Sequence, residues 1–322
     1  MSKLYQIARR SVMMRHLSYS ARKVYTEPLI DGNYKVSPAR EVPEHIVRPP
    51  YVGKPNQQFE DLNEKPIIQH DKDALEKLRI SARLAADTLS EGMKAAKLGN
   101  TTEDIDKAVH DFIIADDAYP TPIDYLHFPK SVCTSVNEVL CHGIPDDRVL
   151  KNGDYVNIDV TCYKNGYHGD NSAMVCIGDV HPDIQRLIRV TRESLYKAIE
   201  ICKPGVPYSK IGEVITEYAT ESGYVVCPHF TGHGVGEDLH CGPFVYHTPN
   251  NVQAKMEVGN VFTIEPIIML HDAYNMIYEW RDGWTVVAHN TPSAQWEHII
   301  AIHDDGPEIM TLRKDEESPD FS

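Results

Sequence analysis

The chain has 322 residues, 42% of them apolar, and a formal net charge of −15, enough to bury a sizeable core in one large domain or two halves. The acidic balance argues against nucleic acid as the main partner, because phosphate binding needs a basic footprint, and there is no run of about 18 uncharged apolar residues to form a membrane-spanning helix. Seven cysteines with no CxxC pair and no regular framework fit free thiols in a reducing compartment.

The N-terminus runs against the acidic average. Residues 1–26 hold Lys3, Arg9, Arg10, Arg15, Arg22 and Lys23, several serines, and no acidic residue before Glu27. Leu4, Ile7, Ala8, Ser11 and Val12 fall on one helical face. This amphipathic, acid-poor composition predicts a mitochondrial or plastid transit peptide over 1–26, without the continuous apolar stretch of a secretory signal. An ordinary disordered basic tail is the alternative. Residues 27–70 carry seven prolines, from Pro28 to Pro66, and little periodicity, which reads as a linker or an extended arm lying on the domain. Helical patterns then cover about 73–97 and 101–116, and again 182–202 and 208–222. Thr101 followed by Asp104 and apolar Ile105 resembles a helix-capping start, and Lys203-Pro204-Gly205 is a stop. Residues 313–322 form an acidic tail.

Two stretches say nearly the same thing 106 positions apart. Residues 150–160 read LKNGDYVNIDV and 256–266 read MEVGNVFTIEP, so that Gly153 matches Gly259, Ile158 matches Ile264 and Asp159 matches Glu265. Gly99, Ile105 and Val109 match Gly205, Ile211 and Ile215 at the same offset. Both copies are short β-branched runs after a glycine turn and read as strands. Each has a carboxylate where alternation in a half-buried strand would be disturbed, and an ionised carboxylate facing a core is expensive unless paired or bound to metal. The pattern predicts a duplicated α+β fold with one shared site on a pseudo-two-fold axis.

Candidate chemistry lies between Tyr119 and His298. Asp170 follows Asp159 by eleven residues, with the hairpin signal Lys164-Asn165-Gly166 between them, so the two aspartates are expected to face each other across antiparallel strands. In TGHGVGEDLH, glycines flank His233, as close backbone approach requires, and His240 stands seven residues on. Glu265 sits in FTIEP and Glu297 in SAQWEHII. Gathered together, four carboxylates would repel strongly without counter-charge. Two divalent cations would neutralise them, and the imidazole tilts the set towards Mn, Fe, Co or Zn. Taken singly these residues are weak signals; their order, with the flanking words FPKSVCTSVNEVLCHGIP, TGHGVG, FTIEP and SAQWEH, is what raises them.

Over about residues 71–312 the sequence resembles the type I methionine aminopeptidases, which have a duplicated pita-bread fold: an antiparallel sheet with helices on its outer face. The resemblance implies Asp159, Asp170, His233, Glu265 and Glu297 as ligands of a dinuclear divalent-metal centre. It implies His142, in CHGIP, and His240 as histidines that bind substrate and assist catalysis, and Pro122, Tyr125, Phe128, Cys133 and Trp284 as the methionine pocket. The residue before the second histidine is usually Phe in that family and here is Leu239, which puts the first-residue preference in doubt. Only 31 residues separate His233 from Glu265, leaving no room for the helical insertion of type II enzymes. The implied activity is removal of N-terminal methionine from nascent or imported proteins and peptides with a small second residue, with a metal-bridging water as nucleophile and Glu265 as proton shuttle. His240 would steady the carbonyl oxygen and His142 would bond near the scissile nitrogen. The basic presequence and the absence of cysteine-rich zinc fingers imply a mitochondrial member, a cytoplasmic one being the alternative; a monomer is expected. A proline-specific peptidase and a non-catalytic relative are the rival readings, and Cys133 or Cys141 as a thiol nucleophile is a minor one.

Overall fold

Two helix pairs, each leading into strands, carry the repeat seen in the sequence. A computed structural model describes residues 24–58 and 65–316; the basic helical face over 4–12 and most of the acidic tail lie outside the described residues. The first half runs α1 (Lys72–Ala95), α2 (Thr102–Ala115), β1 (Tyr119–Pro120), β2 (Cys133–Val136), β3 (Val139–Cys141), β4 (Tyr155–Lys164) and β5 (Tyr167–Cys176). The second runs α3 (Pro182–Glu200), α4 (Ser209–Glu221), β6 (Val225–Val226), β7 (Thr231–Gly234), β8 (Cys241–Tyr246), β9 (Val261–Ile264), β10 (Ile267–Met269), β11 (Ile277–Glu279), β12 (Val286–Ala288), β13 (Ser293–Gln295), β14 (His298–His303) and β15 (Gly306–Ile309). All four helices end within two residues of their predicted spans.

The helix starts follow local chemistry. Asp71 caps α1 by accepting from Ala74 N at 2.9 Å, and Thr101 and Asp104 form a reciprocal capping box on α2, satisfying amides that the first turn leaves without partners. Leu78, Ala82, Ala85 and Leu89 make a fully buried stripe at helical spacing on α1, the face an amphipathic helix turns to a core. The offset glycines share a conformation: φ is 90° and 87° at Gly99 and Gly205, and 93° and 87° at Gly153 and Gly259. Each sits at a turn in the left-handed region that glycine enters without a Cβ penalty.

Every strand pairing is antiparallel. In the first half β4 carries β5 on one edge and β1 and β2 on the other; in the second the order is β15-β14-β9-β7-β8. Smaller sheets β13-β10-β6 and β11-β12-β3 flank them. A bridge between Ser172 and Glu297 joins the two principal sheets. One core unites both helix pairs with the strands: Val156, Ile158 and Val160 of β4, and Phe262 and Ile264 of β9, point into it. This leaves Asn157, Asp159 and Thr161 on one opposite face and Thr263 and Glu265 on the other, since side chains alternate along a strand. The carboxylates therefore belong to the alternation and do not disturb it. In the first sheet the face bearing Asp159 also carries Asn157 and Thr161; in the second, the face bearing Glu265 also carries Val261, Ile299 and Ala301, which pack with α1 in a separate apolar cluster. Residues 24–58 form neither helix nor strand. They pack on both halves, with Ile46 buried against Tyr119, Ile123 and Tyr163 of the first and Tyr25 and Asp31 bonded to Asp183 and Arg281 of the second.

Candidate metal centre and active site

The β4–β5 hairpin brings its two aspartates onto one face. Asp159 lies opposite Ser172, and Asp170 lies opposite Thr161, so the aspartates are diagonal neighbours and do not face each other directly as expected. The reason is register: the tight Asn165-Gly166 turn pairs Lys164 with Tyr167 and sets every later pair. Thr161 Oγ1 donates to Asp170 Oδ1 at 2.8 Å, fixing one carboxylate oxygen and leaving the other to the centre.

The second half supplies the remaining groups from three strands. His233 lies in β7, where a Cβ on Gly232 would come within 2.3 Å of Thr263 O and one on Gly234 within 1.9 Å of Gly242 O; the glycines flanking this histidine permit close backbone approach, as expected. His233 Nδ1 is 3.1 Å from Gly234 O. Because a carbonyl only accepts, Nδ1 carries the proton and Nε2 presents its lone pair. That Nε2 is 3.5 Å from Glu265 Oε1 and 3.7 Å from Asp170 Oδ2. Glu265, just past β9, is held at three points: Thr263 Oγ1 donates to Oε1 at 2.9 Å, Gln295 Nε2 donates to Oε2 at 3.3 Å, and its own N–H donates to His247 Nε2 at 3.1 Å. Glu297 N donates to Ser172 O at 3.1 Å, which sets Glu297 against β5.

Ligand atoms of Asp170, His233 and Glu297, all buried, lie within 4.8 Å of one another. Burial raises the carboxyl pKa of Asp159, Asp170, Glu265 and Glu297 above the usual range, and for all but Asp170 the Asp170 charge adds to it. Among the described residues no lysine or arginine pairs with any of the four. Burial also holds His233 down at about 4, so it is a neutral donor at physiological pH. Clustered carboxylates without an organic counter-ion, beside a neutral imidazole whose lone pair points at them, are a donor set that fits divalent transition metals.

The predicted pocket residues gather beside this set. His142 and His240 are half-buried. His240 stacks edge-on to His233 with ring centroids 4.3 Å apart, and its Nδ1 is 2.6 Å from the Tyr125 hydroxyl. The His142 ring meets Trp284 and Phe230 at 5.7 Å each, and Trp284 meets Phe128 edge-on at 5.1 Å. Cys133 pairs with Asp159 across β2 and β4. Pro122 O accepts from Tyr125 N at 3.0 Å, shaping the turn that presents the tyrosine, while Leu239 is buried next to His240 in the chain. Burial, with nearby negative charge, pushes the thiols of Cys133 and Cys141 well above their usual value, which leaves no thiolate for a nucleophile. Sequence reasoning missed Thr161, Thr263, Gln295 and Phe230. Thr161 follows once the hairpin register is set, and Thr263 shares the β9 face of Glu265; Gln295 and Phe230 reach the site only through tertiary packing.

Residues 76–304, more than half of the chain, match the profile of metallopeptidase family M24. The chain belongs to that family. Within it, the chain falls among the methionine aminopeptidases: it is 47% identical over 297 residues to methionine aminopeptidase 1D, chloroplastic/mitochondrial, of Arabidopsis thaliana, covering 88% of this chain and 82% of that one. It is 44% identical over 277 residues to the human mitochondrial methionine aminopeptidase 1D, with 86% and 81% covered. The crystal structure of methionine aminopeptidase from Rickettsia prowazekii superimposes with a TM-score of 0.75 at 41% identity, covering 77% of this chain and all of that one. The fold is accordingly the α+β pita-bread fold, and the protein is a metallo-aminopeptidase, a hydrolase that works with divalent metal ions.

Proposed function

We propose that this aminopeptidase removes the N-terminal methionine of nascent or imported proteins and peptides, preferring a small second residue, at a two-metal centre held by Asp159, Asp170, His233, Glu265 and Glu297. The observation that carries this reading is the convergence of buried Asp170, His233 and Glu297, with the aromatic contacts among Phe128, Trp284 and His142 beside it. Membership of the methionine aminopeptidases supports it. Two ions there would neutralise the carboxylates and supply Lewis acidity with a water nucleophile usable at neutral pH.

The chain's own residues divide the remaining work. Glu265, steadied by Thr263 and Gln295, takes a proton from water and passes it towards the leaving amine. With the Tyr125 hydroxyl donating to Nδ1 of His240, the Nε2 proton is left to donate to the carbonyl oxygen as charge develops. Burial holds the imidazole of His142 down at about 4, so it acts as a neutral hydrogen-bonding group near the scissile nitrogen. Phe128 and Trp284, with Pro122, Tyr125, Cys133 and Leu239, receive the methionine side chain, whose flexible thioether packs well against aromatic edges.

The catalytic domain is proposed to span 71–312, with 27–70 as an arm upon it, 313–322 as an acidic tail, and 1–26 as a mitochondrial presequence directing a monomeric enzyme to that organelle. The composition of 1–26 and the mitochondrial relatives support this location. A peptide panel of Met-Ala-Ser, Met-Lys-Ser, formyl-Met-Ala-Ser and Ala-Pro-Ala, run after metal stripping and add-back of each ion, tests the function. Release of methionine from the first peptide alone is expected. Preference for Ala-Pro-Ala points to a proline-specific peptidase, and inertness on all four with metal bound points to a non-catalytic relative.

A further inference from the structure

One side chain of the N-terminal arm reaches the substrate side of the site. Gln57 Nε2 donates to Asp124 O at 2.7 Å, and Gln57 Oε1 accepts from Leu126 N at 2.7 Å. A single carboxamide thereby pairs with two backbone groups of the 121–128 loop, much as a neighbouring strand would. The loop needs such support. Asp124, Leu126 and His127 have φ of 63°, 47° and 67°, a left-handed region that non-glycine residues keep only where their surroundings enforce it. Its internal bonds use the amides of Asp124, Tyr125, His127 and Phe128, and Leu126 N turns to Gln57 instead.

Neighbouring arm residues reinforce the hold. Gly53 N donates to Asp124 Oδ2 at 2.6 Å, Tyr51 OH donates to Thr121 O, and the Tyr51 ring stands edge-on to Tyr125 at 5.1 Å. What the loop presents is the Tyr125 hydroxyl, 2.6 Å from His240 Nδ1. Further along the chain Lys65 Nζ donates to His240 O at 3.2 Å and Ile67 bridges Gly242. The arm is fastened independently near its start: Ser37 and Arg40 bond to Glu103, and Arg40 Nε is 2.7 Å from Asp106. These anchors do not involve Gln57, whose Nε2 also donates within the arm to Tyr51 O at 3.1 Å and Lys54 O at 3.3 Å.

We propose that Gln57 is a positioning residue for catalysis: its carboxamide locks the 121–128 loop in the conformation that sets Tyr125 on His240. The active geometry then depends on a residue outside the stretch that matches the M24 profile, 76–304. This rests on the reading of His240 as the group that bonds the substrate carbonyl.

The test is a cycle of Gln57→Ala, Tyr125→Phe and the double variant in the full chain, assayed on Met-Ala-Ser, with deuterium exchange followed over 121–128 in the metal-free proteins. Gln57→Ala is expected to lower kcat about tenfold, the scale of a lost hydrogen-bond pair, while KM moves less than about threefold. In the Tyr125→Phe background the further loss should be under about twofold, because both changes interrupt one route. Exchange over 121–128 should accelerate in the metal-free variant, while the metal-loaded variant should take up as much metal as wild type. Gln57→Glu, which keeps the acceptor for Leu126 N and loses the donor to Asp124 O, should fall between wild type and Gln57→Ala. Losses that multiply in the double variant, or unchanged exchange in Gln57→Ala, overturn the proposal. A neutral His240→Ala variant overturns the reading beneath it, and is told apart because the exchange result does not depend on turnover.

Discussion

In the first half of the molecule, Asp159 and Asp170 sit on one hairpin whose turn sets their relation. In the second half, His233, Glu265 and Glu297 come from three places on the β7, β9 and β14 strand layer, with 31 residues between each and the next. The first pair is positioned locally and is steadied by one hydroxyl from the same hairpin, Thr161. The second set must wait for strand assembly, and it draws on Thr263, Gln295, His247 and Ser172 for support. A repeat of 106 residues thus gives equivalent positions without equivalent chemistry. The half assembled through long-range pairing also carries the group assigned to proton transfer.

The equivalent pair Asp159 and Glu265 is where that contrast is easiest to break. Glu265→Gln should keep its fold and lose about 10²–10⁴-fold in kcat/KM, the usual scale for a positioned acid–base group, and excess metal should not restore it. Asp159→Asn should chiefly weaken metal affinity, so activity returns as the ion is raised. Equal rescue of both variants, read from kcat/KM against ion concentration and metal content, would make the halves chemically alike.

The two histidines sharpen the comparison next. His240→Ala, on the second half, should cost about 10²–10³-fold in kcat, as removal of an oxyanion donor does. His142→Ala, on the first, should cost less, and both should retain metal. Loss of an ion from either variant would place that histidine among the ligands.

Glycine substitutions probe assembly itself. At Gly232 a new Cβ would meet backbone Thr263 O at 2.3 Å, so Gly232→Ala must part β7 from β9; about 3–5 kcal/mol of stability should be lost, with His233 displaced. Gly166, at the hairpin turn, has φ of 88° and open space around it, so Gly166→Ala should cost only about 1–2 kcal/mol and leave turnover near normal. Denaturant unfolding distinguishes them.

An effect confined to stability and its pH dependence concerns Glu316, whose side chain is 1% exposed. Burial alone would raise its carboxyl pKa, but hydrogen bonds from His298 and Tyr196 and the Arg313 charge bring it down to about 2. A depressed carboxyl stabilises the fold above its unfolded pKa of about 4.5, and that stabilisation fades as pH falls from there to about 2. Glu316→Gln should therefore cost about 2–3 kcal/mol at pH 7, with the gap to wild type closing over pH 4.5 to 2. A gap that stays constant across that window would assign Glu316 a packing role only.

Much of this was legible in the linear chain because it is written in short-range chemistry. Periodicity and caps placed the four helices within two residues of their ends, since Thr101 with Asp104 and the turn glycines satisfy backbone requirements inside one turn of chain. The hairpin through Asn165-Gly166 put Asp159 and Asp170 on one face, although diagonal and not opposed, because a one-step change of register decides which side chains are neighbours. The carboxylates continue the alternation of their strands and do not break it: strand period alone does not say which neighbours each face will meet.

The sequence by itself determined the four helices and the hairpin that presents two of the proposed ligands, because spacing, turn type and capping act over a few residues. Only the tertiary structure decided how they meet: that Asp170, His233 and Glu297 converge within 4.8 Å, that Gln295 and Thr263 clasp Glu265, and that Gln57 of the arm grips the loop bearing Tyr125. Apart from Thr263, two positions from Glu265, those relations join groups 30 to more than 100 positions apart. Their geometry comes from sheet register and from burial that forces each polar group to find a partner, and neither is encoded at any one place in the chain.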